Sequence, residues 1–249
     1  MKTIGIIPAR YDSTRFPGKP LAMIGNKSMI QRVYERAMLS SLDKVIIATD
    51  NKKIEKHAKK FGAEVIMTST SHKTGTERCA EAFKKYEKDF DIVINIQGDE
   101  PFFEPKQIEL LIKSFKQKDV QISTLIEKID NIEDLNSPNT IKVLKDKDSF
   151  AIYFSRASIP FVRGHEKENW LKNSEYFKHI GIYAFRSEVL KKIVKLQSVK
   201  IEKAESLEQL RWLFNGYKIK LTKTKYYGLS VDTAEDLEKA NEILTTVYQ

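Results

Sequence analysis

The sequence predicts an α/β protein built on a mainly parallel, doubly wound sheet with a strand-rich insertion. Three observations lead there. Short apolar runs alternate with amphipathic stretches through residue 118. Those runs are apolar throughout rather than at every second residue, as in strands covered on both faces. Beyond Lys118 the alternation gives way to strand-like runs separated by irregular loops, until helical spacing returns at Ser187. The expected organisation is one domain over residues 1–249, with roughly 121–186 as a strand-rich subdomain.

Ile4–Ile7 is the first strand, and Ser28–Leu39 repeats apolar residues at Met29, Ile30, Val33, Ala37 and Met38, a helical spacing. Lys44–Thr49 is a second buried strand. Asp50-Asn51 caps a helix that runs to Phe61 and is stopped by Gly62. Ala63–Met67 is a third strand, residues 68–76 form a polar loop, Glu77–Tyr86 is helical and Asp91–Ile96 is a fourth strand. A helix follows Pro105. In the insertion, Gln121–Glu127, Thr140–Leu144, Ala151–Phe154 and Ile180–Phe185 have strand character. Helices are expected at Ser187–Val194 and Ala204–Phe214, a strand at Lys218–Thr222, and a closing helix opened by Thr233 with Glu235 and Asp236 in its first turn.

Lys and Arg number 43 against 34 Asp and Glu, a formal charge of +9 that suits an acidic partner. The basic residues are spread along the chain rather than gathered in an arm or stripe, so an acidic small substrate is favoured over nucleic acid. The lone Cys79 has no intrachain disulfide partner, which fits a reducing compartment. No apolar run reaches the ~20 residues of a membrane span, and Arg10 interrupts the opening run too early for a signal peptide. A cytoplasmic protein with no nucleic-acid or membrane partner is expected.

Pro8-Ala-Arg-Tyr-Asp-Ser-Thr-Arg-Phe-Pro-Gly-Lys-Pro-Leu21 places Arg10, Arg15 and Lys19 on a loop whose backbone is restricted by Pro8, Pro17, Gly18 and Pro20. Rigid cations at the carboxyl end of a first strand are suited to an anion. The loop is neither Gly-x-x-x-x-Gly-Lys-Ser/Thr nor Gly-x-Gly-x-x-Gly, which removes the usual ATPase and dinucleotide assignments while leaving phosphate binding in place. Asn95-Ile-Gln-Gly-Asp-Glu-Pro101 ends the fourth strand with two adjacent carboxylates, a place for a hard divalent ion bridging phosphate oxygens or for capping the next helix. Asp232 is a second candidate ligand, with the cap of the last helix as its alternative. His72-Lys-Thr-Gly-Thr-Glu-Arg78 is a polar loop able to offer amides and Arg78 to an anion.

Taken together, these blocks resemble the bacterial CMP-Kdo synthetases, the cytidylyltransferases that activate 3-deoxy-manno-octulosonate. The resemblance continues through Ala-Thr-Asp (48–50), Pro-Asn (138–139), Tyr-Phe-Ser-Arg (153–156), His-Ile-Gly-Ile-Tyr (179–183), Leu-Glu-Gln-Leu-Arg (207–211) and Val-Asp-Thr-x-Glu-Asp-Leu (231–237). It implies a sheet of the nucleotide-diphospho-sugar transferase type. It also implies attack of a sugar acid's anomeric hydroxyl on the α-phosphorus of CTP, giving CMP-sugar and pyrophosphate for lipopolysaccharide synthesis. Pro8, Ala9, Arg10, Arg15, Lys19, Gly75, Arg78 and Gln97 would bind the nucleotide, with Arg10, Lys19 and Asp99 catalytic. Asp99 and Asp232 would hold magnesium. Gln97, Arg156, His179, Tyr183, Glu208 and Gln209 would line the sugar pocket. The family resemblance further implies a homodimer that contacts through the insertion. The acceptor the resemblance implies is 3-deoxy-manno-octulosonate or a close analogue such as its 8-amino form. A sialic acid or hexose-phosphate nucleotidyltransferase, and a nucleic-acid-binding module, are the alternatives.

Overall fold

Strand β1 (Thr3–Ala9) is buried along nearly its whole length, as a run without polar alternation requires. The computed structural model describes residues 1–12, 16–226, 228 and 230–247. Backbone contacts divide the chain into two units, Met1–Glu109 with Tyr226–Gln249, and Leu110–Lys225. In the first unit β1 leads into a hairpin of β2 (Met23–Ile24) and β3 (Lys27–Ser28), turned at Gly25, whose φ of 61° suits glycine. Helix α1 (Met29–Met38) follows directly, with Ser28 as N-cap. The expected helical segment thus begins after a short strand.

Strand β4 (Lys44–Thr49), helix α2 (Lys52–Lys60), strand β5 (Glu64–Met67), helix α3 (Gly75–Phe83), strand β6 (Ile92–Asn95) and helix α4 (Pro105–Ser114) continue the alternation. Asn51 caps α2 by accepting from Lys53 N, and Gly62 ends it at φ 82°. The four strands are parallel in the order β6-β1-β4-β5. Successive strands are laid on one side of β1 and then β6 on the other, so the winding reverses between β1 and β6.

The second unit centres on β7 (Ile122–Ile129), followed by α5 (Ile132–Asn136), β8 (Lys142–Lys145), β9 (Ala151–Ser155) and α6 (Trp170–Asn173). Strand β10 (Tyr176–Arg186) is antiparallel to β7 and longer than the expected 180–185, because Tyr176 and Phe177 are also buried and paired. Its register shifts between Ile180 and Tyr183. Helix α7 (Ser187–Ile193) comes next. The helix expected over 204–214 is two, α8 (Lys200–Glu205) and α9 (Gln209–Phe214). Ser206 between them takes the left-handed conformation at φ 53°, which closes α8 while the apolar spacing runs on past the break. Strand β11 (Ile219–Lys223) lies parallel to β7, which draws the unit out beyond residue 186.

Helix α10 (Ala234–Val247) returns to the first unit, where Ala240, Leu237 and Leu244 pack with Ile24, Met29 and Val231. No described helix is long and apolar enough to cross a membrane.

Candidate active site

The carboxyl ends of β1 and β6 open into a cleft of about 230 Å³ in the first unit, at the point where the winding reverses. Pro8, Ala9, Arg10, Lys19, Gly75, Arg78, Gln97, Asp99 and Asp232 all line it. Arg15 lies outside the described residues. Arg10 stands exposed just past β1 and forms no ion pair with any described residue. Lys19 heads a short 3-10 turn over Lys19–Leu21. Its Nζ donates to Asp99 Oδ2 at 2.7 Å and to Asp232 Oδ1 at 3.0 Å. Gly18, at φ 73°, donates its N–H to Tyr11 O at 2.8 Å and so folds the loop back on itself.

Asp232 reaches this point because Val231 N donates to Asp99 O at 2.8 Å, tying the approach to α10 to the end of β6. The cap of α10 is Thr233. Its Oγ1 accepts from Asp236 N (3.2 Å), and Asp236 Oδ2 accepts from Thr233 N (3.0 Å), a reciprocal box that leaves the Asp232 carboxylate facing Lys19. The half-buried Glu100 carboxyl beside them is pushed up to about 8, by burial first and then by the Asp99 and Asp232 carboxylates. The two aspartates therefore crowd negative charge around one point.

The donor set has the chemistry that magnesium asks for. No described group of three or more His, Cys, Asp or Glu is arranged to hold a metal. A hard ion that keeps its waters and shares phosphate oxygens needs only one or two carboxylates. Two carboxylate oxygens converging on a single ammonium fit that requirement.

On the opposite wall α3 starts at Gly75, two residues before the expected Glu77. Thr74 is the N-cap, accepting from Glu77 N at 3.1 Å. The pattern Thr74-x-x-Glu77 is the sequence signal for that start. The helix N-terminus supplies amides suited to an anion. Arg78 is committed differently, with Nη2 donating to Asp50 Oδ2 and Nη1 to Thr68 Oγ1, both at 2.6 Å. Asp50 and Thr68 are the partners sequence reasoning missed. Gln97 donates Nε2 to Asn95 Oδ1 at 3.4 Å. The glycine of that block, Gly98, has a steric role that only its contacts show: a Cβ there would sit 2.9 Å from Pro8 O, so only glycine lets β1 and the Gln97–Asp99 turn approach.

The remaining candidates lie in the second unit and form two groups. Arg156, at the end of β9, donates its backbone N–H to Glu205 Oε2 (2.9 Å), Nε to Glu205 O (2.7 Å) and Nη1 to Pro138 O (2.9 Å). Ser155 Oγ donates to the same carboxylate at 2.6 Å. Fully buried Lys142 donates to Ser137 O (2.8 Å) and Thr140 O (2.6 Å), so two cations hold the 137–140 turn. Burial, followed by the charges of Lys167 and Arg156, lowers Lys142 to about 8. Lys142 and Glu205 carried no motif and became visible only through their contacts.

In the second group His179 lies edge-on to Phe154 (5.3 Å) and tilted on Tyr183 (5.1 Å), with Nε2 3.0 Å from Thr124 Oγ1. Burial lowers His179 to about 3, so the imidazole is neutral. Burial and then the Glu208 carboxylate push the Tyr183 phenol well above its ordinary value of 10. Gln209 is buried in the first turn of α9, which packs on Tyr183 through Trp212 at 5.1 Å. The structure thus brings His179, Tyr183 and the start of α9 together, while the Arg156 guanidinium turns to backbone carbonyls.

A family model described as cytidylyltransferase matches residues 4–219. The chain is 52% identical over 250 residues to a 3-deoxy-manno-octulosonate cytidylyltransferase of Bacteroides thetaiotaomicron, covering 98% of each. To the enzyme of the same description from Parabacteroides distasonis it is 50% identical over 244 residues, covering 96% of this chain and 97% of the relative. Among solved structures, a CMP:2-keto-3-deoxy-manno-octonic acid synthetase complexed with CTP is similar. The TM-score is 0.92 and the identity 38%, over 99% of this chain and 100% of that one.

Proposed function

The chain belongs to the cytidylyltransferase family, among the 3-deoxy-manno-octulosonate enzymes, and from that premise we propose that it transfers CMP from CTP to the anomeric hydroxyl of 3-deoxy-manno-octulosonate, releasing pyrophosphate. The observation that carries the proposal is the meeting of Lys19, Asp99 and Asp232 at the winding switch of a parallel sheet, beside exposed Arg10 and the N-terminus of α3. Nucleotidyl transfer asks a protein for positioning and charge stabilisation. Arg10 and the first amides of α3 take the triphosphate oxygens, and Lys19 supplies a charge-assisted contact that persists onto the departing pyrophosphate. Asp99 and Asp232 would hold magnesium, which would supply neutralisation of phosphate charge.

In the second unit Arg156, neutral His179, Tyr183, Glu208 and Gln209 are assigned to the sugar acid. We propose a cytoplasmic homodimer that needs no nucleic-acid or membrane partner, and sedimentation addresses its size. The reaction is tested by mass spectrometry of mixtures containing CTP, other nucleoside triphosphates, 3-deoxy-manno-octulosonate, its 8-amino analogue, sialic acid and hexose phosphates. A CMP–octulosonate product with stoichiometric pyrophosphate is expected. Preference for another base, or for sialic acid or a hexose phosphate, would overturn the proposal, and the ratio of the two octulosonate products identifies the natural acceptor.

A further inference from the structure

Lys19 does more in this geometry than wait for a phosphate. Its ammonium occupies the point on which Asp99 Oδ2 and Asp232 Oδ1 converge, at 2.7 and 3.0 Å, with its side chain only 14% exposed. A divalent cation on those same oxygens would sit about 2.1 Å from each. The ammonium and the cation therefore compete for one place, and their like charges exclude joint occupancy.

We infer that Lys19 is a built-in counter-ion that keeps the Asp99 and Asp232 pair closed to a bare divalent cation and yields only to one arriving with a nucleoside triphosphate. The role rests on the nucleotide assignment above and adds an order of events to it.

Two further observations make the exchange a matter of one side chain. The backbone under Lys19 is fixed: Gly18 N donates to Tyr11 O and Leu21 N to Gly18 O, both at 2.8 Å, and Pro20 is buried. The backbones that carry the two carboxylates are also fixed independently of the lysine, Asp99 through its carbonyl O accepting from Val231 N at 2.8 Å and Asp232 through its own N–H to Asp236 Oδ2 at 3.1 Å. Removing the ammonium therefore leaves both backbones, and the two carboxylates they carry, at the same strand and helix ends. When a metal–triphosphate complex enters beside Arg10, the cation takes the two carboxylates and the freed ammonium takes a phosphate oxygen. Two ion pairs break, and metal–carboxylate and ammonium–phosphate contacts form. Metal and nucleotide are then positively coupled through Lys19.

The test is a titration with Mn²⁺ followed by electron paramagnetic resonance, on the whole chain, with and without CTP. Wild type should bind Mn²⁺ weakly alone and much more tightly with CTP. Lys19→Met should bind Mn²⁺ alone about tenfold or more tighter than wild type, with a smaller gain from CTP. Lys19→Arg, which keeps the charge, should stay weak alone. Should the Met variant fail to fold by circular dichroism, Lys19→Gln replaces it. Equal or weaker Mn²⁺ affinity in the folded neutral variant, or a gain in the Arg variant, would overturn the counter-ion role. A gain in the neutral variant while wild type ignores CTP would uphold that role and overturn the nucleotide assignment, so the two failures are separable.

Discussion

Asp99 and Asp232 each meet Lys19 with one oxygen, yet neither is needed to hold the fold, since their backbones are fixed by other contacts. Asp99→Asn and Asp232→Asn should each lower turnover by roughly a hundredfold or more, with thermal stability little changed. Steady-state rates across a magnesium series check this, and wild-type turnover in folded Asp232→Asn would remove it from the metal site. His179 supports a prediction about pH. Its folded value of about 3 lies below the ordinary 6.5, so the unfolded chain gains a proton that the folded chain refuses. This stability is present above pH 6.5 and is lost as pH falls from 6.5 towards 3, by about 2 kcal/mol at pH 5. His57, lowered by burial and then by Lys60, acts in the same direction. Urea midpoints at pH 7 and 5 should separate in wild type and draw closer in His179→Gln, which keeps a donor for Thr124. An undiminished separation in that variant would refute the assignment to His179.

Helix ends do most of the positioning at the next scale. The Thr233–Asp236 box starts α10 directly after Asp232, so cap and site share a backbone. Thr233→Ala should cost about 1 kcal/mol of stability by loss of the cap. It should also raise the magnesium concentration needed for half-maximal rate, because the following turn no longer fixes Asp232. Denaturant titration and a magnesium series measure both, and an unchanged magnesium requirement would show that the bond from Val231 N to Asp99 O is enough to keep Asp232 at the site. Helix starts were largely legible in the sequence: Asn51 and Ser28 cap as their residue types suggest, and Thr74 announces α3 once its Glu77 partner is noticed. The break at Ser206 was not, because Leu207, Leu210 and Leu213 keep helical spacing across it while the backbone turns left-handed.

At the scale of the whole molecule the charge is unevenly divided. Leu110–Lys225 holds 23 Lys and Arg against 14 Asp and Glu, so the entire +9 excess belongs to the second unit and the first is balanced. A basic unit assigned to a sugar acid should draw that anion in over distances set by the Debye length, about 30 Å at 0.01 M salt and 3 Å at 1 M. The value of kcat/KM for the sugar acid should accordingly fall severalfold across this range, at constant free magnesium, while kcat changes little. An unchanged kcat/KM would mean that capture depends on short-range contacts alone.

Local sequence determined the strands buried on both faces, the cation-bearing turn after β1 and the Gln97–Asp99 turn after β6, because each follows from a few neighbouring residues. Composition likewise gave the sign of the charge but not its place. Only the tertiary structure decided that Lys19 meets Asp99 across 80 residues and Asp232 across 213, that Arg78 is spent on Asp50, and that Gly98 must be small beneath Pro8. The physical reason is sheet order. Parallel strands far apart in sequence become neighbours when the winding reverses, so the ends of β1 and β6 meet side by side, and a single backbone hydrogen bond from Val231 brings the last carboxylate to them.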